Sequence, residues 1–60
     1  MNKPIAFERP DDGEIFSLNL GGTYSLEFMK VRFPEHLTFE YEECRLRECG
    51  FRPIYRKVKL

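Results

Sequence analysis

The sequence contains no tryptophan, two cysteines, one histidine and no formal net charge at pH 7. Two cysteines cannot form the set of bridges that holds small secreted domains together, and Cys44 and Cys49 lack the Cys-x-x-Cys spacing of thiol redox proteins. Together with His36 they are too few for a structural zinc site, which needs four ligands. We therefore expect reduced thiols, no metal and no cofactor.

Long apolar runs are also missing. No segment approaches the ~20 apolar residues that a membrane span requires. The first residues, Met-Asn-Lys-Pro-Ile-Ala-Phe-Glu, lack the apolar stretch of a signal peptide. We expect a cytoplasmic protein that does not bind membranes.

Groups for catalysis and phosphate binding are sparse as well. Gly21-Gly22 is not followed by the Lys-Ser/Thr of a phosphate loop, and no Gly-x-Ser-x-Gly element is present. Asp11, Asp12 and Glu14 flank a turn, but they do not follow the twelve-residue calcium-loop pattern. These absences predict that the protein is not an enzyme.

The 60 residues correspond to one small domain, residues 1–60, which can bury only ~60% of the surface of its unfolded chain. Six phenylalanines and three tyrosines are the main material for a core. A core of this size is too small to enclose a large catalytic cavity.

The sequence is rich in apolar residues at every second position, a period typical of half-buried strands. The first set comprises Ile5, Phe7, Phe16, Leu18, Leu20, Tyr24, Leu26 and Phe28. The parity then changes, and the second set comprises Met29, Val31, Phe33, Leu37, Phe39 and Tyr41. The change predicts a bend in one long strand, residues 23–33. Either both sets meet in one core, or the second set is a surface for a partner.

Turn-forming residues divide this pattern into an antiparallel meander. The predicted loops are Pro10–Gly13, Gly21–Thr23 and Pro34–His36. The first loop sets Phe7 opposite Phe16, the second sets Phe16 opposite Phe28, and the third sets Met29 opposite Tyr41. In each register apolar residues face apolar residues.

The last third of the chain allows two interpretations. In the preferred one, strands 37–48 and 51–60 turn at Cys49-Gly50. The fold is then all-β, a five-stranded antiparallel meander closed partly or fully into a barrel, by analogy with SH3-like and OB-like domains. Such architectures host many functions.

The alternative is an α+β fold with one helix at about 39–49. Thr38 is a good N-cap, Gly50 stands where a C′ glycine is expected, and Pro53 follows soon after. In both interpretations residues 54–60 form a strand.

These features favour a small binding or regulatory protein, an adaptor or inhibitor of the kind phages use, that docks on another protein. Its candidate apolar partner surface is Ile15, Met29 and Phe51. Open edge strands offer a second route, including homodimerisation.

A nucleic-acid-binding module is the alternative function, because basic and aromatic residues alternate near the C-terminus. The candidate contacts to nucleic acid or a partner are Arg45, Arg47, Arg52, Tyr55, Arg56, Lys57 and Lys59. Glu40, Glu42 and Glu43 stand against this, since they can neutralise neighbouring basic side chains.

Overall fold

The computed structural model describes residues 3–56. Its elements are β1 (Ala6–Glu8), β2 (Ile15–Leu18), β3 (Tyr24–Leu26), α1 (Glu27–Arg32), α2 (Glu43–Glu48) and β4 (Arg52–Ile54). The strands form one antiparallel sheet in the order β3-β2-β1-β4. The sheet is open, with β3 and β4 at its two edges.

This architecture is α+β, as the alternative interpretation of the sequence has it. The five strands and the barrel of the preferred interpretation are not found in residues 3–56, which contain four strands and two short helices. Helices α1 and α2 replace parts of the strands expected at 23–33 and 37–48.

The first hairpin has the predicted register, with Phe7 opposite Phe16. The Arg9 carbonyl accepts a hydrogen bond from Gly13, and the Asp12 carboxylate accepts one from the backbone N–H of Glu14. Gly13 has a positive φ of 74°, which glycine adopts at little cost. The four-residue loop is therefore confirmed.

The second hairpin has a three-residue loop, but the loop begins one residue earlier than predicted. Phe16 lies opposite Leu26, and Asn19 N–H donates to the Thr23 carbonyl, so the loop is Leu20–Gly22. A loop of this length usually ends on a residue with positive φ. Gly22 adopts a φ of 91°, whereas the predicted register would place β-branched Thr23 there. Each β2 residue therefore pairs with the β3 residue two positions before the predicted one, as Phe16 does with Leu26 in place of Phe28. A shift of two residues leaves every side chain on the predicted face of the sheet.

The parity change at Phe28-Met29 marks a strand that becomes a helix, so the predicted long bent strand 23–33 is wrong. Residues 28 and 31, and residues 29 and 33, have the i,i+3 and i,i+4 spacing that a helix also satisfies. Glu27 lies in the first turn of α1, and Lys30 and Arg32 lie in the last, where they complement the helix dipole. Pro34 ends the helix, because it disfavours the helical conformation at Phe33.

Helix α2 ends as the alternative interpretation predicts but begins later than Thr38, with Glu42 as its N-cap. Gly50 has a φ of 81° and donates to the Arg47 carbonyl, while Phe51 N–H donates to the Leu46 carbonyl. This pair of bonds is the Schellman motif. It reverses the chain so that residue 52 enters the sheet.

Strand β4 pairs with β1, not with residues 37–48 as expected, and sets Pro53 opposite Phe7. The expected strand 54–60 is wrong for Tyr55 and Arg56, because β4 ends at Ile54, and residues 57–60 lie outside the described residues.

The core lies between one face of the sheet and α2. Phe7, Phe16, Tyr24 and Leu46 form its buried cluster, with Leu18, Leu26 and Phe51 packed against it. The rings of Phe7 and Tyr24 meet edge to face with centroids 4.9 Å apart, and the Tyr24 hydroxyl donates to the Pro4 carbonyl at 2.6 Å.

Candidate docking surface

A large share of the apolar side chains lies outside this core, on α1 and on the segment that follows it. We call this set the apolar surface. Its members are Phe28, Val31, Phe33, Leu37, Phe39 and Tyr41. Leu37 is as exposed as in an extended chain, and Phe39 and Val31 retain 82% and 72% of their accessible area.

At the α1 end of the apolar surface, the aromatic rings contact one another and a neighbouring arginine. Phe28 and Phe33 pack edge to face with ring centroids 6.3 Å apart, and the His36 ring lies 5.4 Å from that of Phe33. The Arg32 guanidinium lies over the Phe28 ring at 5.6 Å. These contacts order the aromatic rings and leave much of their area accessible.

Tyr41 fixes the other end of the apolar surface. Its backbone exchanges two hydrogen bonds of 2.8 Å with Tyr24, and its ring packs against Phe16 at 5.8 Å. Glu40 accepts a hydrogen bond from the Thr23 hydroxyl. Residues 37–39 therefore run from α1 to a fixed point on β3.

Between these two ends lies a cleft of about 270 Å³. Its lining is formed by Arg9, Phe16, Leu26, Met29, Leu37, Thr38, Phe39 and Tyr41. Small-molecule and cofactor sites have volumes of ~300–1,000 Å³. The cleft is smaller, and its size and apolar lining suit an apolar side chain from another polypeptide.

The apolar surface is divided between the two faces of the sheet, since Phe28 and Val31 line a depression with Ile15, while Leu37, Phe39 and Tyr41 line the cleft with Phe16. The three side chains at the cleft together expose roughly 400 Å², taking ~200 Å² for a fully exposed aromatic ring and somewhat less for leucine. The largest apolar patch on an ordinary monomer is ~300–600 Å². A standard protein–protein interface buries ~800 Å² on each partner. The exposed area at the cleft is that of a large apolar patch on a monomer and about half of what one partner buries in a standard interface.

The edges of the sheet offer less for strand addition. On β4, Pro53 has no N–H to donate. On β3, the outward N–H and carbonyl of Tyr24 already pair with Tyr41. In the part of the chain that the structure describes, few backbone groups at the sheet edges are therefore free to pair with a strand of another chain.

The predicted apolar partner residues are divided by the fold. Met29 lines the cleft, and half-buried Ile15 lies beside Phe28 in a shallow depression at the start of α1. Phe51 instead packs on the core, with its ring centroid 5.2 Å from that of Phe16. Of the second set of alternating apolar residues, Met29 is half-buried and the others are exposed. This exposure is what we expect if the second set is a surface for a partner. Phe28 was missed, because alternation assigned it to the core face.

Of the predicted basic and aromatic contacts, the structure brings Arg47 and Tyr55 together. Arg47 donates to Glu43 at 3.0 Å and to the Tyr55 hydroxyl at 2.8 Å, and these bonds raise its pKa. Arg52 lies 3.8 Å from Glu8, in a different part of the sheet. Arg45 on α2 and Arg56 beyond β4 are exposed. Lys57 and Lys59 lie outside the described residues.

The candidate metal-binding or redox residues are the two cysteines and the single histidine. Cys44 and Cys49 are both exposed free thiols, and His36 packs on Phe33. Within residues 3–56, no three His, Cys, Asp or Glu side chains lie close enough to hold a metal ion together. No helix in that range has both the length and the apolar character needed to cross a bilayer.

Comparison with family models, with curated proteins and with solved structures gave no match for this chain. The functional argument therefore depends on the geometry of the chain itself.

Proposed function

We propose that the protein is a small non-enzymatic binding protein, an adaptor or inhibitor, that docks on another polypeptide through the apolar surface. The observation that carries the proposal is the exposure of Leu37 and Phe39 at the apolar cleft that they line. Exposing this area to water costs ~25 cal/mol per Å², so its burial by a partner supplies the free energy of binding.

The arrangement has the composition of a binding interface. Interface centres are enriched in phenylalanine, tyrosine and methionine, and they are surrounded by a polar rim. Here four aromatic rings and Met29 are bordered by charged residues of both signs, among them Arg9, Arg32 and Glu35. A cleft next to exposed rings suits the anchoring side chain on which interface affinity usually depends.

The nucleic-acid-binding alternative has less to support it. Binding to phosphates requires several free cations on one face. Arg47 and Arg52 lie beside Glu43 and Glu8, and Arg47 is held in bonds to its neighbours. A salt titration against DNA and RNA decides this function, because affinity for phosphates must fall steeply as salt rises.

The test of the proposal is a comparison of three purified proteins: the wild type, Leu37→Glu and Glu48→Lys. Each is used to capture partners from a lysate of its native host. A captured partner is then purified, and its affinity for the three proteins is measured by titration calorimetry. Leu37→Glu places a charge on the apolar surface, whereas Glu48→Lys changes the charge of an exposed residue on α2 and serves as the control.

We expect Leu37→Glu to weaken partner binding by at least ~30-fold, the threshold of an interface hot spot, and Glu48→Lys to leave it unchanged. Far-UV circular dichroism of the variants checks that the fold is retained. A partner whose affinity is unaffected by Leu37→Glu, or the absence of any partner, contradicts the proposal.

A further inference from the structure

We infer that residues 37–40 bind in the substrate cleft of a serine protease with an apolar specificity pocket, that Phe39 enters this pocket, and that the chain thereby inhibits the enzyme. This inference rests on the proposed function, since it names the class of partner that contacts Leu37 and Phe39. Three properties of the segment support it: its shape, its exposure and the attachment of its two ends.

Residues 37–40 form a straight segment between a turn and the sheet. They contain no turn or bend, and none of them has a positive φ. Within residues 3–56, their backbone N–H and carbonyl groups have no hydrogen-bond partner. A straight segment with free backbone groups can pair with the edge of a cleft, as an extended peptide does in strand addition. Serine proteases hold their substrates in this way, with one side chain in the specificity pocket.

Phe39 is the side chain of this segment that best fits an apolar specificity pocket. It retains 82% of its accessible area, so its ring can enter a pocket of another protein without any unfolding. Leu37 is also exposed, whereas Thr38 between them is half-buried. This alternation is expected when successive side chains of an extended chain point to opposite sides. The hydrophobic pocket of chymotrypsin-type enzymes accepts a side chain of this kind.

Both ends of the segment are attached to the domain. At the C-terminal end, the Glu40 carboxylate accepts a hydrogen bond from the Thr23 hydroxyl. The backbone of Tyr41 then exchanges two hydrogen bonds of 2.8 Å with Tyr24. At the other end, residues 33–36 form a hydrogen-bonded turn that follows α1. A segment that is already held in its bound conformation loses little conformational entropy on binding, so its affinity for the cleft is higher than that of a free peptide.

The same attachments determine what happens when the protease attacks the bond between Phe39 and Glu40. The serine oxygen adds to the Phe39 carbonyl carbon and forms an ester, and the serine proton passes through the catalytic histidine to the Glu40 nitrogen, which leaves as an amine. The bonds to Thr23 and Tyr24 keep this amine beside the ester. It therefore attacks the ester, re-forms the peptide bond and returns the proton to the serine. Hydrolysis is slow, and the complex persists.

The experiment measures inhibition of α-chymotrypsin and of trypsin, each acting on a chromogenic peptide, by the purified full chain. We expect the wild type to inhibit α-chymotrypsin with an inhibition constant of ~1 µM or lower, and not to inhibit trypsin, whose pocket carries an aspartate. Phe39→Arg is expected to weaken inhibition of α-chymotrypsin by about 100-fold and to create inhibition of trypsin. Glu48→Arg adds the same residue to exposed α2 and is expected to change neither. Circular dichroism shows whether each variant remains folded.

A further variant distinguishes an inhibitor from a substrate. Thr23→Val retains the shape of the side chain but removes the hydroxyl that binds Glu40. The amine released by cleavage then leaves the site more readily. We expect mass spectrometry to show a largely intact wild type during the assay, and cleavage between Phe39 and Glu40 that is about 10-fold faster in Thr23→Val.

Three results would overturn the inference: no inhibition of α-chymotrypsin by up to ~100 µM wild type, rapid cleavage of the wild type with loss of inhibition, or a Phe39→Arg variant that does not change which enzyme is inhibited. The proposed function fails separately, when Leu37→Glu does not affect a purified partner. A partner that is lost through Leu37→Glu, without any inhibition of α-chymotrypsin by the wild type, refutes the protease inference alone.

Discussion

Replacing Tyr24 with phenylalanine is expected to lower the free energy of unfolding by about 1.5 kcal/mol. The Tyr24 ring is fully buried, and its hydroxyl donates a 2.6 Å hydrogen bond to the Pro4 carbonyl. Phenylalanine fills almost the same volume, so packing is retained and the Pro4 carbonyl loses its donor. A buried acceptor without a partner costs ~1–3 kcal/mol.

The same residue makes a prediction about pH. Burial, and to a lesser degree the nearby Glu43 carboxylate, raise the pKa of Tyr24 above its ordinary value of 10.0. Above that pH the unfolded chain gains free energy by ionising Tyr24, whereas the folded chain must keep the phenol neutral. Stability contributed by Tyr24 is therefore complete below pH 10.0 and declines above it, by at most ~1.4 kcal/mol per pH unit.

Together the two effects predict that the stability difference between the wild type and Tyr24→Phe narrows as the pH rises above 10.0. The measurement is urea unfolding followed by far-UV circular dichroism at one fixed protein concentration, repeated from about pH 8 to about pH 11. Tyr55→Phe is the matched control, because the Tyr55 hydroxyl is bonded to Arg47 on the exposed surface. It is expected to change stability by less than ~0.5 kcal/mol.

Two results would refute this reasoning. One is an equal loss of stability in Tyr24→Phe and Tyr55→Phe, which would mean that burial of the hydrogen bond does not matter. The other is a gap between the wild type and Tyr24→Phe that stays constant through the alkaline range.

Three further predictions test the fold. Gly22→Ala should lower the free energy of unfolding by ~1–2 kcal/mol, because Gly22 has a φ of 91°. Gly21→Ala is the control, at an open position without positive φ, and should change it by less than ~0.5 kcal/mol. Equal thermal denaturation curves for the two variants would contradict the Leu20–Gly22 loop. Leu46→Ala should cost ~2–5 kcal/mol in urea unfolding, because the side chain is 2% exposed at the centre of the core; a loss below ~1 kcal/mol would show that α2 does not pack there. Hydrogen bonds from Arg9 and from the Glu14 backbone lower the pKa of Asp12 below 3.8, so its contribution to stability is present above pH 3.8 and is lost as the pH falls through the folded-state pKa. Asp12→Asn should therefore have a melting temperature that falls less steeply below that pH than the wild type's, and parallel profiles would count against the Arg9 pair.

The N-terminal hairpin illustrates what can be predicted from sequence alone. Pro10–Gly13 is a strong local turn signal, and the four-residue register that pairs Phe7 with Phe16 is confirmed. The end of α2 at Gly50 is also determined locally, because the residue that adopts the left-handed conformation after a helix is usually glycine. Both features depend on backbone preferences that act within a few residues.

The segment after β3 shows where this reasoning fails. Alternation at residues 29, 31 and 33 is compatible with a strand, yet the same apolar positions also satisfy helical spacing. A strand there would need a partner for its backbone groups, whereas a helix bonds its own. Since residues 37–42 meet β3 only at Tyr41, no neighbouring strand is available, and the helix forms.

The sequence by itself determined that the core is aromatic, that Phe7, Phe16 and Tyr24 belong to one apolar set, and that sequence motifs for catalysis are sparse. It also determined that apolar residues exceed what one sheet face needs. Tertiary structure alone decided which of them stay exposed. Covering one face of the sheet takes α2 and Leu46, so α1 and residues 33–41 are left on the outside. The alternating pattern identifies which side chains are apolar, but whether each one is buried depends on which distant segment packs against it.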